Sequence, residues 1–172
     1  MNFLNRIKSS VLSRRYSKAF NIGNNFSFGE ITLVGRQKDC INIGNNVTIL
    51  RYTEILGKPE LPIYIGDNTY INQRCVIRPN TKIGRRVSIG PGVMLMTDTH
   101  LVGSPKRRAG KSINPPIIIE DGCWIGAHST VLGNVTIGKG TIIGAGSVVN
   151  KDCEPNSLYA GVPARFVKKL EH

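Results

Sequence analysis

From Ile65 onward a large aliphatic residue returns at every sixth position, and no other feature of the chain restricts its fold as sharply. The series runs Ile65, Ile71, Ile77, Ile83, Ile89, Leu95. It resumes 24 residues later in the same phase, with Ile119, Ile125, Val131, Ile137, Ile143, Val149. Four places after each stands a smaller residue: Thr69, Cys75, Thr81, Val87, Val93 and Thr99, then Cys123, Ser129, Val135, Thr141, Ser147 and Cys153. A period of six fits neither the 3.6 of a helix nor the plain alternation of a strand. It fits a short strand followed by a corner, with both marked residues pointing inward. Three such sides make an 18-residue coil, and that longer period is present: Ile65-Gly66-Asp67-Asn68 returns as Ile83-Gly84-Arg85-Arg86, and Ile119-Glu120-Asp121-Gly122 as Ile137-Gly138-Lys139-Gly140. Stacked coils pair each strand with the one a coil away, which satisfies the backbone and makes the core continuous. Glycine, frequent at the second place, tolerates a crowded or positive-φ corner.

Composition agrees. The 172 residues hold 21 Ile and 13 Val against 11 Leu, an excess of β-branched residues that favours strands. An apolar share of 40% excludes a disordered chain, and no run is long enough to span a membrane. No secretion-signal core follows Met1, so the cytoplasm, with the inner membrane surface as a variant, is the expected location. Cys40, Cys75, Cys123 and Cys153, spaced by 35, 48 and 30 residues, match no zinc or redox motif and read as free buried thiols. The net charge of +12 allows nucleic acid, an acidic membrane or an anionic small molecule. Nucleic acid is disfavoured, since no helix-turn-helix, zinc finger or aromatic platform is present.

Three segments are expected. Residues 1–20 carry Arg6, Lys8, Arg14, Arg15 and Lys18 and no acid, with Phe3, Leu4, Ile7, Val11 and Leu12 on one helical face. They read as a helical cap on the first coil, with weak peripheral membrane contact as the alternative. Residues 21–168 form the β-helix, with corners at Ile22-Gly23-Asn24-Asn25 and Ile43-Gly44-Asn45-Asn46. Small loops bulge near Gln37-Lys38 and Gly57-Lys58-Pro59, and an excursion loop occupies about 101–115. Residues 169–172 read as a tail, a possible tag remnant.

The repeat resembles the left-handed parallel β-helix acyltransferases, and the handedness comes from that resemblance. Thr97-Asp98-Thr99-His100, Pro116-Ile-Ile-Ile-Glu-Asp-Gly-Cys-Trp124-Ile-Gly, and Gly144-Ala-Gly-Ser-Val-Val-Asn-Lys151-Asp with Tyr159-Ala-Gly-Val-Pro-Ala-Arg165 narrow it. Together they are similar to the galactoside, maltose and nodulation-type O-acetyltransferases and their polysaccharide-acetylating relatives.

The resemblance implies an acetyl-CoA-dependent O-acetyltransferase acting on a sugar or surface-polysaccharide hydroxyl, assembled as a homotrimer with sites between subunits. His100 matches the general base, whose neutral imidazole takes the hydroxyl proton. An exposed loop histidine is the plain alternative; His128 reads as a surface histidine of a coil. Asn72, with Cys75 three places on, matches the asparagine near the acceptor hydroxyl, and its amide both donates and accepts. Asp98 is a candidate for fixing the histidine tautomer. Ala127 and Ala145 match main-chain contacts to pantetheine. Asn150, Lys151, Arg165 and Lys168 match positions near the nucleotide phosphates, and Trp124 a position near the thioester at the subunit interface. No residue stands in a convincing nucleophile position, and no metal is expected. The basic loop Lys106-Arg107-Arg108 with Lys111 reads as solvated, with an anionic acceptor as the other possibility. N-acetylation of an amino-sugar or antibiotic remains open on the same fold. A carbonic-anhydrase-like β-helix lacks the histidines, and a non-catalytic scaffold would not respond to acetyl-CoA.

Overall fold

A computed structural model of the chain describes residues 20–34 and 39–171. These form a parallel β-solenoid of about six turns, consistent with the left-handed β-helix that the resemblance implies. Among the described residues no helix is long and apolar enough to cross a membrane. The expected cap at 1–20 and the loop at Gln37-Lys38 lie outside the described residues, except for Phe20, which already pairs with Ile41.

The prism has three sheet faces. The first holds Phe20–Ile22, Ile41–Ile43, Ile63–Ile65, Thr81–Ile83, Ile117–Ile119 and Val135–Ile137. The second holds Ser27–Phe28, Thr48–Ile49, Tyr70–Ile71, Ser88–Ile89, Trp124–Ile125 and Ile142–Ile143. Ser157–Gly161 extends it in parallel, and Ala164–Lys169 turns back antiparallel at its edge. The third holds Thr32–Val34, Glu54–Leu56, Val76–Ile77, Met94–Met96, Thr130–Leu132 and Val148–Val149.

All twelve aliphatic residues of the hexad are at most 2% exposed. Eleven of the twelve residues four places on are also buried, and the structure supplies their chemistry. The Thr69 hydroxyl donates to the Gly84 carbonyl at 2.9 Å and the Ser129 hydroxyl to the Gly144 carbonyl at 2.9 Å. The Cys75 and Cys123 thiols do the same to the Gly90 and Gly138 carbonyls at 3.3 and 3.2 Å. A small donor at this place thus satisfies a corner carbonyl of the next coil. The exception is Thr99. It is exposed because the chain has already left the prism; the buried Thr97 closes that coil, donating to the Pro79 carbonyl at 2.7 Å.

Three further expectations are made more exact, the glycine one in favour of its crowded-corner alternative. The excursion is a β-hairpin, Thr99–Val102 against Ala109–Ile113, and it starts two residues earlier than the expected loop. It has the length of one coil without forming one: Ile83 pairs directly with Ile119, 36 positions on. The second-place glycines do not take positive φ; that falls two places later, at Asn25, Asn46, Asn68, Arg86, Gly122 and Gly140. They are small because of crowding, a Cβ on Gly66 falling 2.6 Å from the Gly84 carbonyl carbon. Finally, Lys169 and Leu170 belong to the fold rather than to a tail. Lys169 ends the edge strand and pairs with Glu154 at 3.1 Å, and the Leu170 N–H donates to the Asn156 carbonyl at 2.8 Å.

Candidate active site

One edge of the prism, between the second and third faces, is a continuous column of backbone. The N–H groups of Leu50, Asn72, Gly90, Gly126 and Gly144 each donate to the coil above, at 2.8–2.9 Å, and the column ends beside Ala160. Four of the expected site residues lie on or beside it: Asn72, Ala127, Ala145 and Arg165.

The half-buried Asn72 is held from two sides. Its carbonyl accepts from the Thr53 hydroxyl at 3.0 Å, and the Cys75 thiol, whose single proton is shared with the Gly90 carbonyl, lies 3.2 Å away. Its side-chain Oδ1 accepts from the Gln73 N–H at 2.8 Å, which assigns the amide orientation. Its Nδ2 has no partner among the described residues, so a donor stands ready beside the column.

Higher on the same edge, the backbone N–H groups of Ala127 and Ala145 make no hydrogen bond among the described residues. They lie one coil apart, roughly 5 Å along the edge. A Cβ on Gly126 would fall 2.5 Å from the Ala145 nitrogen, so glycine there keeps the two corners stacked. Above them the C-terminal hairpin is tied down: the Gly161 N–H donates to the Ser147 hydroxyl at 3.1 Å, and the Tyr159 ring meets Phe166 edge-on at 5.8 Å. Arg165, opposite Ala160, is exposed, and one of its Nη atoms donates to the Ala164 carbonyl at 3.0 Å.

The remaining expected contacts lie elsewhere. Trp124, 56% exposed, stands on the second face in an outward row that runs Tyr70, Ser88, Trp124, Ile142, Leu158, Lys168. Asn150 and Lys151 are exposed at a different edge, between the third and first faces. His128 is an exposed corner residue at φ 56°.

His100 also belongs to that other edge. It lies on the hairpin opposite Ser112, exposed, and its imidazole makes no hydrogen bond among the described residues. The structure therefore does not bring His100 and Asn72 together within one chain. A six-residue side separates the two edges, roughly 15–20 Å at about 3.3 Å per residue. Asp98 does not orient the imidazole: its carboxylate accepts from the Asn114 side chain and lies 3.3 Å from Arg78 Nε. Arg78 Nε makes only that ionic contact, its geometry falling short of a hydrogen bond, while Nη1 meets Glu54 at 3.0 Å. The Asn80 amide donates to the Asn114 carbonyl at 2.8 Å and Lys58 Nζ reaches Asn114 Oδ1 at 3.2 Å. These residues clasp both strands of the hairpin at its root, beside a cavity of about 490 Å3 lined by Leu56, Lys58, Pro59, Pro79, Asp98 and Ser112. The clasp is not legible in the sequence as a unit, since its members are scattered from 54 to 114; Asp98 and the bulge at 57–59 are the parts of it that stand out there.

Burial pushes the Cys75 and Cys123 thiols up to about 11 and the Cys153 thiol up to about 12, so all three are protonated near neutrality. None is a competent thiolate nucleophile. Among the described residues no group of three or more His, Cys, Asp or Glu side chains is placed to hold a metal ion.

Comparison with known proteins agrees with the fold. The family model described as bacterial transferase hexapeptide (six repeats) matches residues 62–96 and 116–151. The chain is 40% identical to a putative acetyltransferase of Schizosaccharomyces pombe over 112 residues, 64% of this chain and 54% of the relative. It is 40% identical to the galactoside O-acetyltransferase of Escherichia coli over 110 residues, 63% of this chain and 54% of that protein. The chain thus spans about half the length of the curated relatives it matches. A hexapeptide-repeat acetyltransferase from Vibrio cholerae, solved in complex with acetyl-CoA, superposes with a TM-score of 0.69 at 29% identity, over 98% of this chain and 80% of that one. An N-acyltransferase from Bacillus cereus shares the fold, with a TM-score of 0.71 at 21% identity, over 95% of this chain and 90% of that one.

Proposed function

The chain belongs to the hexapeptide-repeat family, and from that premise we propose that it transfers acetyl from acetyl-CoA to a sugar or glycan hydroxyl, as a homotrimer. The observation that carries this reading is the alignment, on one edge, of the Asn72 amide, the unpaired N–H groups of Ala127 and Ala145, and the Arg165 guanidinium. Pantetheine is a chain of amides, and its carbonyls suit two donors left unpaired among the described residues and about one coil apart. A guanidinium beyond them suits a phosphate.

The proton acceptor stands on a different edge, so one chain offers two half-sites. A second copy that sets its His100 against the Asn72 edge completes the site. The acceptor oxygen then attacks the thioester carbonyl while its proton passes to His100. The Asn72 Nδ2 donor steadies the oxyanion, and the departing coenzyme A sulfur takes the proton back from the imidazole. Protonated thiols leave direct attack as the simplest course.

Acetyl-CoA is expected to raise the melting temperature of both the parent and His100→Ala proteins. Thiol release in the presence of acceptor falls by roughly 10²–10⁴-fold in the variant, the usual worth of a general base. Near-normal turnover by folded His100→Ala overturns the assignment. A panel of neutral sugars against amino-sugars, followed by product mass and base lability, distinguishes ester from amide formation.

A further inference from the structure

The hairpin that carries His100 has a second chemical character. Lys106, Arg107 and Arg108 are exposed at its tip, Lys111 is exposed on the return strand beside the residue opposite His100, and no acidic residue occurs between Asp98 and Glu120. Among the described residues none of the four makes an ion pair. Their one side-chain bond runs from an Arg108 Nη to the Gly103 carbonyl at 3.3 Å. Asp98 and Glu54, at the hairpin root, are both engaged by Arg78. The turn itself is closed by backbone, with the Gly103 N–H donating to the Arg108 carbonyl and the Arg107 N–H to the Ser104 carbonyl. The cations are therefore not needed to make the turn. They concentrate an unneutralised positive field on one projection.

The ladder pairs His100 with Ser112 and Val102 with Ala109, and the cationic turn begins directly beyond. At about 3.4 Å per residue the tip lies roughly 10–15 Å from His100, a span of a few sugar residues. We infer that the Lys106-Arg107-Arg108 tip with Lys111 binds the carboxylates of an acidic oligosaccharide, one of whose hydroxyls is then presented to His100. This names the acceptor class and rests on the acetyltransferase reading above. Arginine is suited to planar carboxylates through its fork of donors, and a flexible chain of sugars bridges tip and imidazole without a deep pocket.

The test measures binding to fluorescently labelled tetragalacturonate and maltotetraose at low salt, for the full chain and for a K106Q/R107Q/R108Q variant. The parent protein is expected to bind tetragalacturonate about tenfold or more tightly than maltotetraose, with the advantage fading as salt rises. The variant loses about tenfold on the acidic tetramer, nothing on the neutral one, and keeps its acetyl-CoA thermal shift. Lys139→Gln, which removes an exposed cation on another part of the prism, leaves all three unchanged. Equal binding of the two tetramers by the parent overturns the inference, as does an equal loss in Lys139→Gln. So does a loss confined to acetyl-CoA, or a loss confined to phosphatidylglycerol vesicles, which would assign the tip to a lipid surface. Absence of any acetyl-CoA shift in the parent defeats the acetyltransferase reading instead, and the binding comparison distinguishes the two failures.

Discussion

Arg165 stands on a strand edge, and among the described residues its guanidinium bonds only its neighbour's carbonyl, so it is available to a ligand at little structural cost. Arg165→Ala is expected to raise the KM for acetyl-CoA by about 5–50-fold while kcat at saturation changes less than about threefold. A contact remote from the thioester holds ground and transition states alike. A fall in kcat at unchanged KM would falsify the phosphate assignment. The thiols permit a pH prediction. Unfolding releases Cys75 and Cys123, held near 11 in the fold, to the ordinary thiol value of 9.0. Above pH 9 the unfolded chain therefore binds fewer protons than the folded one, and stability falls as pH rises from about 9 to 11. Below pH 9 these groups contribute no slope. Melting temperatures between pH 7 and 11 check this, and Cys75→Ser should flatten the alkaline limb relative to the parent. His100 shows how far residues alone can be read: its motif singles it out, but its solitary position on the hairpin, and the engagement of Asp98 by Arg78, depend on packing.

At the scale of the corner and the strand, two glycines of one edge separate crowding from backbone conformation. Gly126 meets the Ala145 nitrogen at 2.5 Å from an ideal Cβ, whereas Gly146 has open space but a φ of +70°. Gly126→Ala must push apart two hydrogen-bonded coils, so it is expected to cost about 3 kcal/mol and to weaken acetyl-CoA binding as well. Gly146→Ala carries only the left-handed penalty, about 1 kcal/mol, with binding retained. Chemical denaturation of both variants gives the ranking, and the reverse order would undo the argument. The hexad made the strands legible, because a side chain facing inward every sixth residue leaves an unmistakable apolar series. It did not reveal why the smaller partner is so often Thr, Ser or Cys; that follows from corner carbonyls one coil away. It also mistook Thr99 for an inward residue, since phase continues through a hairpin that has the length of a coil.

For the whole molecule, the separation of His100 and Asn72 onto two edges yields a prediction that a single-chain site cannot share. His100→Ala and Asn72→Ala proteins are each expected to be nearly inactive. Unfolded and refolded together in equal amounts, they should regain roughly one quarter of parent activity, the share of inter-subunit sites in random trimers that join an intact histidine to an intact asparagine. No recovery in verified mixed trimers would place the complete site within one chain. The sequence by itself determined the repeat, the inward residues, the corner glycines and the identity of most site candidates, because each of these is a local pattern repeated at short range. Only the tertiary structure decided which candidates share an edge. It brought Asn72, Ala127, Ala145 and Arg165 into line, left Asn150 and Lys151 on another edge, and clasped the His100 hairpin through Arg78, Asp98 and Asn114. The physical reason is the winding of the chain: residues 18 apart become neighbours 5 Å apart while residues six apart face different ways, so spatial proximity follows the coil count and not the distance along the chain.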